Sequence, residues 1–194
     1  LTDRRINEEH MPLFDARLAT TAMGILPHLS VEDAIETCLS LDIPSWPQLP
    51  KISFFEDMYV QAMEHFPGIV IDEEKGRISV DTDRFMDEIP AFLEREDEDG
   101  WFVLSEPFSQ GYHAFLRRDL RGFRAIHGQM ISPVSLALKI MDENGRPIVY
   151  NDELRALAYS FIQRKVNVQH EALRQRNERA FVWMDDPGLE FIFS

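Results

Sequence analysis

Asp185 and Asp186 directly follow the apolar run Ala180-Phe181-Val182-Trp183-Met184. Burying two adjacent ionised carboxylates in a core is costly. Strand alternation would therefore send one toward a ligand-facing rim and the other aside. At a rim, such an acid can orient the polar end of a small substrate. With Glu106 as its partner, Asp185 could instead form the carboxylate pair of a hydrolase, which needs the two groups about 5–10 Å apart. The architectural alternative is that Asp186 caps the next short helix while Asp185 accepts backbone hydrogen bonds. His28, after Pro27, could touch a substrate, and His127 falls inside a strand-like run. Isolated histidines in such places are more often structural. The nine glycines are scattered and form no phosphate loop, and no serine or cysteine sits in a nucleophile elbow. The acidic stretch Glu94 to Asp99 lacks the alternation of a calcium loop. Arg117, Arg118, Arg121 and Arg124 read as a solvated or salt-bridged helix end.

These residues need elements to place them. Arg17 to His28 reads as a strand of small and apolar residues ending at Gly24 and Pro27. Ser30 then caps a helix whose inner face carries Val31, Ala34, Ile35 and Cys38, which makes Cys38 a small buried hydrophobe. Ile43 to Pro50 is a buried strand if its prolines sit at the ends. Ser53 and Glu56 form a capping box, followed by a stripe of Phe55, Met58, Tyr59, Ala62 and Phe66. Gly68 to Asp81 alternates about Glu73-Glu74-Lys75-Gly76, as a hairpin does. Thr82 to Arg95 is helical with Pro90 inside, Trp101 to Ser105 strand-like, and Phe108 to Leu120 helical. Ala125 to Pro133 reads as a strand, Asn144-Gly145 as a turn, and Asn151 as the cap of a long helix. Ala180 to Met184 closes the series. Alternating strands and helices predict an α/β protein with a parallel sheet, whose ligands meet the loops after the strands' carboxyl ends.

Composition narrows the class. The chain has 194 residues, 44% of them hydrophobic, and one cysteine. That is one domain, or two at most, with no internal disulfide and no multi-cysteine metal site. No apolar run is long enough to span a bilayer and no signal-peptide pattern opens the chain, so a cytoplasmic setting is expected. A net charge of −14 disfavours nucleic acid as a partner. Residues 1–100 carry 8 basic and 23 acidic side chains, and residues 101–194 carry 12 and 11.

Four segments together resemble one family. Ala19 to His28 is similar to the opening strand of the catalytic barrel of cobalamin-independent methionine synthase and its shorter relatives in the uroporphyrinogen decarboxylase-like superfamily. Trp46-Pro47-Gln48-Leu49-Pro50 with Phe54 to Gln61 resembles the second strand and helix of those relatives. His127-Gly128-Gln129-Met130-Ile131-Ser132-Pro133-Val134 resembles the family's Lys-Gly-Gln strand. Val182 to Pro187 resembles its Asp-Glu-Pro signature.

The resemblance implies a TIM-type (β/α) barrel that transfers a methyl group to a zinc-activated thiol. It assigns substrate binding to Asp185 and to the loop residues Met23, Gly24 and Ile25, with Gln129, Trp46, Asp186 and His28 around them. The chain departs from the synthases at Ile25, where they have Ser, and at Asp186, where they have Glu. It departs again at Trp46-Pro47-Gln48, where they have His-Gly-Glu. A full barrel takes about 250 residues and eight strands. The expectation is thus an arm over 1–17 and a partial barrel over 18–194. That barrel would comprise about five strand–helix units, with a hairpin insert over 66–100 after the second. The family's zinc ligands follow the Asp-Glu-Pro segment, so zinc is implied for the family and not bound by this chain. The expected function is the substrate-pocket half of a thiol methyltransferase, inactive alone, taking a small thiol or amino-acid-like substrate. The alternative is a non-catalytic partial-barrel subunit that self-associates or binds a partner, with no nucleic acid or membrane.

Overall fold

The computed structural model describes residues 14–188. Most of the expected arm and the last six residues lie outside the described segment. Four extended segments lie side by side and run parallel. The first, 20–25, meets the second, 43–48, through Ile43 N–H to the Thr20 carbonyl (3.0 Å) and Gln48 N–H to the Gly24 carbonyl (2.7 Å). A parallel bridge joins Ser45 of the second segment to His127 of β3 (Ile126–Ile131). β3 then pairs in parallel with β5 (Ala180–Asp185), from Ile126 opposite Ala180 to Ile131 opposite Asp185. Pro44 and Pro47 donate no hydrogen bond, so the second segment holds its neighbours only by isolated bridges.

Helices return the chain between these segments. α1 (Val31–Leu39) begins where the Ser30 hydroxyl accepts from Asp33 N–H. α4 (Gln110–Leu116) packs beside it. α6 (Asp152–Arg174) lies against both β3 and β5, capped by the Asn151 side chain. It buries Leu154, Ala158, Phe161, Ile162 and Leu173, the inner positions of its turns. α6 approaches β3 closely at Gly128, where a Cβ would stand 1.8 Å from Gln169 Oε1. Only glycine fits.

The connections at the two ends of this row differ in length. Those returning to the amino ends are short, 40–42, 117–125 and 175–179. Of those leaving the carboxyl ends, 26–30 is short and the next two are long. Residues 49–109 hold α2 (Met58–Met63), the hairpin of β1 (Ile69–Asp72) and β2 (Arg77–Val80), and α3 (Thr82–Leu93). Residues 132–151 hold α5 (Pro133–Lys139) and β4 (Met141–Asp142), which pairs in parallel with β2. The hairpin lies where the sequence predicts, inside an excursion wider than 66–100.

Two expectations change. Trp101 to Ser105 is not a strand: a 3-10 turn spans Asp99–Phe102, and Phe102 packs 5.3 Å from Phe161 in an aromatic cluster with Phe92 and Phe66. Its apolar residues fill the space between α3 and α6 and pair with no backbone. The parallel row therefore has four members, and it does not close into a barrel among the described residues. The helix expected over Phe108 to Leu120 is the shorter α4. Among the described residues, no helix is long and apolar enough to cross a membrane.

Candidate functional site

Gln129 organises the carboxyl ends of the row. Its Oε1 accepts from Gly24 N–H at 2.7 Å, and its Nε2 donates to the Trp46 carbonyl at 3.3 Å. One side chain on β3 thus ties down the first two segments. Gly24 is required for this clamp, because a Cβ there would meet Gln129 Nε2 at 2.0 Å and the Trp46 carbonyl oxygen at 2.6 Å. With both polar ends committed, Gln129 positions the rim and has little left to offer a ligand.

Alternation along β5 sets Asp185 on the same face as Phe181 and Trp183, whose rings lie 5.1 and 6.1 Å from that of His127. Asp185 is half-buried, and its carbonyl accepts from Ser132 N–H at 2.7 Å. Its carboxylate has no hydrogen-bond donor among the described residues. Asp186 differs. Its carboxylate accepts from the hydroxyls of Ser132 (2.6 Å) and Ser135. Ser132 in turn caps α5 by accepting from Ser135 N–H. Asp186 therefore locks the start of α5, so its expected place in substrate binding gives way to a structural one. The serine hydroxyls that hold it differ from the cap on the next helix that the sequence suggested.

Tyr59, on α2, faces this end of the row. Burial first, then the negative charges of Asp57 and Asp185, push its phenol above the ordinary tyrosine value. Asp57 is held as the cap of α2 by Tyr59 and Val60 N–H. Tyr59 and Asp57 line a groove of about 730 Å³ whose other walls come from β2, α5 and β4. Its volume suits a small molecule, and Asp185, Gly24 and Gln129 do not line it. Sequence reading placed Tyr59 only in a helical stripe; its two residues' separation from Asp57 was the available signal.

The remaining candidates scatter. Met23 and Ile25 are exposed at the rim. His28 Nε2 meets the Thr37 hydroxyl at 3.1 Å, which ties it to α1. Trp46 is fully buried, with its indole N–H donated to Gln169 Oε1 and its ring edge-on to Tyr112. It packs under the helices and does not line a pocket at the rim, because the alternation of segment 43–48 turns it toward α6. His127 is buried with Nε2 2.8 Å from the Thr21 hydroxyl, and burial lowers its pKa. Glu106 is an exposed partner of Arg117 at 3.0 Å, a surface ion pair that leaves the two-carboxylate hydrolase without its second member at the rim. Cys38 is buried in α1, and burial pushes its thiol up to about 11. A thiol so placed is inert.

Beneath the rim runs a buried polar network that sequence reading missed. Gln48 Nε2 donates to Gln61 Oε1 at 2.6 Å. Gln61 Nε2 donates to the Phe108 carbonyl at 2.8 Å and to Glu56 at 3.3 Å. Glu56 also accepts from Gln110 N–H at 2.6 Å, yet desolvation still raises its pKa. Among the described residues, no three His, Cys, Asp or Glu side chains gather to hold a metal ion. Comparisons of the chain with protein-family models, curated proteins and solved structures give no match.

Proposed function

We propose that this chain forms the first strand–helix units of a TIM-type barrel of the methionine synthase-like kind, in a cytoplasmic setting, and supplies its substrate-holding rim. The observation that carries the reading is the asymmetry of the row. All four segments run parallel, and the long connections leave only from their carboxyl ends, where the Asp185 carboxylate has no hydrogen-bond donor among the described residues. Ligand sites in parallel α/β proteins gather at that end. In this reading Asp185 accepts from the ammonium of an amino-acid-like thiol. The backbone at Gly24 and Ile25 shapes the floor, and Tyr59 offers a hydroxyl from the groove. The zinc ligands of such a methyltransferase would lie outside these segments, and no step here passes through the metal.

The test is calorimetric titration of the purified chain with L-homocysteine and with L-methionine. Saturable binding is expected, with an affinity loss of about tenfold in Asp185→Asn, the cost of one charge-assisted hydrogen bond. Binding unchanged in that variant, or no binding of either amino acid, would remove the reading.

One observation favours a second reading, a partial-barrel subunit completed by association. Large apolar side chains are exposed on the two outermost members of the row and the loop after the first: Met23 57%, Ile25 45%, Leu29 80%, Trp183 46% and Met184 40%. Apolar surface beside an unpaired strand edge promotes association. Sedimentation equilibrium is expected to show a concentration-dependent oligomer that Trp183→Glu shifts to monomer. A monomer at all concentrations would end this reading.

A further inference from the structure

The opposite pole of the row, at the amino ends of β3 and β5, carries a different chemistry. Arg121, Arg174, Arg176 and Arg179 line one cleft of about 380 Å³, together with Phe123 and Asn177. They come from three places: the loop before β3, the end of α6 with the turn after it, and the residue before β5. A helix carboxyl end favours cations within its last turn. That explains Arg174 and, at most, Arg176. Arg121 and Arg179 are brought in by tertiary structure.

Asn177 does this. It is 7% exposed, and its Nδ2 donates to the carbonyls of Leu120 (2.9 Å) and Phe123 (3.0 Å) while its Oδ1 accepts from Arg179 N–H (2.9 Å). One buried amide thus staples the Arg121 loop to the α6–β5 turn and holds the guanidinium groups around one space. Nearby acids neutralise only part of the charge. Asp119 pairs with Arg121 at 2.9 Å, and Glu178 stands 4.0 Å from Arg179. Arg174 and Arg176 have no carboxylate within ion-pair distance among the described residues. A second cleft of about 350 Å³ shares Arg179 and adds Arg124 and Arg17, the latter paired with Asp15 in the same cleft. All this stands on a chain whose net charge is −14.

We propose that the cleft is an anion site for a small diphosphate-bearing molecule. Arg174, Arg176 and Arg179 hold the phosphates, and Phe123 offers a face to whatever they are attached to. Guanidinium forks bind phosphate oxygens in pairs, which is why arginine rather than lysine recurs at such sites. The cleft's volume falls within the roughly 300–1,000 Å³ range of small-molecule sites. The site is independent of the proposed activity at the other pole.

The experiment is calorimetric titration of the full chain at low ionic strength with three probes: inorganic pyrophosphate, ADP and a single-stranded DNA 12-mer. Pyrophosphate and ADP are expected to bind saturably, one per chain. Arg174→Gln and Arg176→Gln should each lose about tenfold in affinity, the usual effect of removing one charge-assisted contact. Arg118→Gln should lose nothing, because that side chain pairs with Glu32 on α1. Tighter binding of ADP than of pyrophosphate places the organic part against Phe123, and equal binding makes the diphosphate the whole determinant. Either supports the site. No saturable heat with either small probe would overturn it. So would affinities untouched in both arginine variants, or tighter binding of the oligonucleotide. The variants alter exposed side chains, and circular dichroism confirms that they fold.

Discussion

Lys165→Met is expected to destabilise the chain by about 3–5 kcal/mol, the range seen when one partner of a buried ion pair is removed. Lys165 has no exposed surface, and its Nζ lies 3.8 Å from Glu64 Oε2, itself 2% exposed. The ammonium also donates to the Gln61 carbonyl at 3.2 Å and lies 5.5 Å from the Phe161 ring. Methionine fills the space and leaves the Glu64 carboxylate buried with Ser105 N–H donating to it and His65 Nε2 3.9 Å away. The double variant Lys165→Met, Glu64→Gln should recover much of the loss, since the uncompensated charge is gone. Urea denaturation of the single and double variants checks both statements, and equal losses in the two would contradict the ion-pair explanation. pH offers a second check. Burial, only partly opposed by Glu64, pushes the Lys165 amine down to about 8 in the fold. Between that value and the ordinary lysine pKa the unfolded chain binds more protons than the folded one, so this residue makes stability rise with pH across that window. Lys165→Met should abolish the rise.

Gly24→Ala is expected to cost about 2–6 kcal/mol and to disorganise the rim. The added methyl would stand 2.0 Å from Gln129 Nε2 and 2.6 Å from a main-chain oxygen of Trp46. The Gln129 side chain can swing away, but the Trp46 carbonyl cannot move without shifting the second segment. Two costs combine: overpacking, about 1–3 kcal/mol, and the loss of the bond from Gly24 N–H to a buried amide, about 1–3 kcal/mol. Thermal and urea unfolding report the stability. Amino-acid titration of the folded variant reports the rim, where a weakened affinity is expected. An unchanged melting temperature would mean that the Gln129 clamp does not hold these segments together.

Local chemistry was the legible part. Ser30, Asn151 and the Glu73 to Gly76 turn carry their signals within three or four residues, and each appears where it was expected. Gly76 adopts φ 57°, a conformation open to glycine at little cost. Five apolar runs separated by helices read as strands, and four of them form the parallel row. Trp101 to Ser105 went astray because a short apolar run can serve as a strand or as packing for an aromatic cluster, and periodicity does not separate the two over five residues. Asp186 was read correctly as lying at a strand end. Which donors claim it depends on Ser132 and Ser135, more than fifty residues away. Trp46 fails for the same reason: facing the rim or the helices is a matter of pleat phase, fixed by neighbours the local sequence does not name.

By itself, then, the sequence determined periodicity, caps, turns and the alternation of strand with helix, because those depend on interactions between residues a few positions apart. Tertiary structure alone decided which polar groups are free. Gln129 and Asp186 are consumed by distant partners, and among the described residues the Asp185 carboxylate is not. Lys165 and Glu64, unremarkable in the chain, meet in the core, and Asn177 draws four arginines around one cleft. Availability for binding is what remains after long-range hydrogen bonds and ion pairs are satisfied, and those are set by folding over the whole chain.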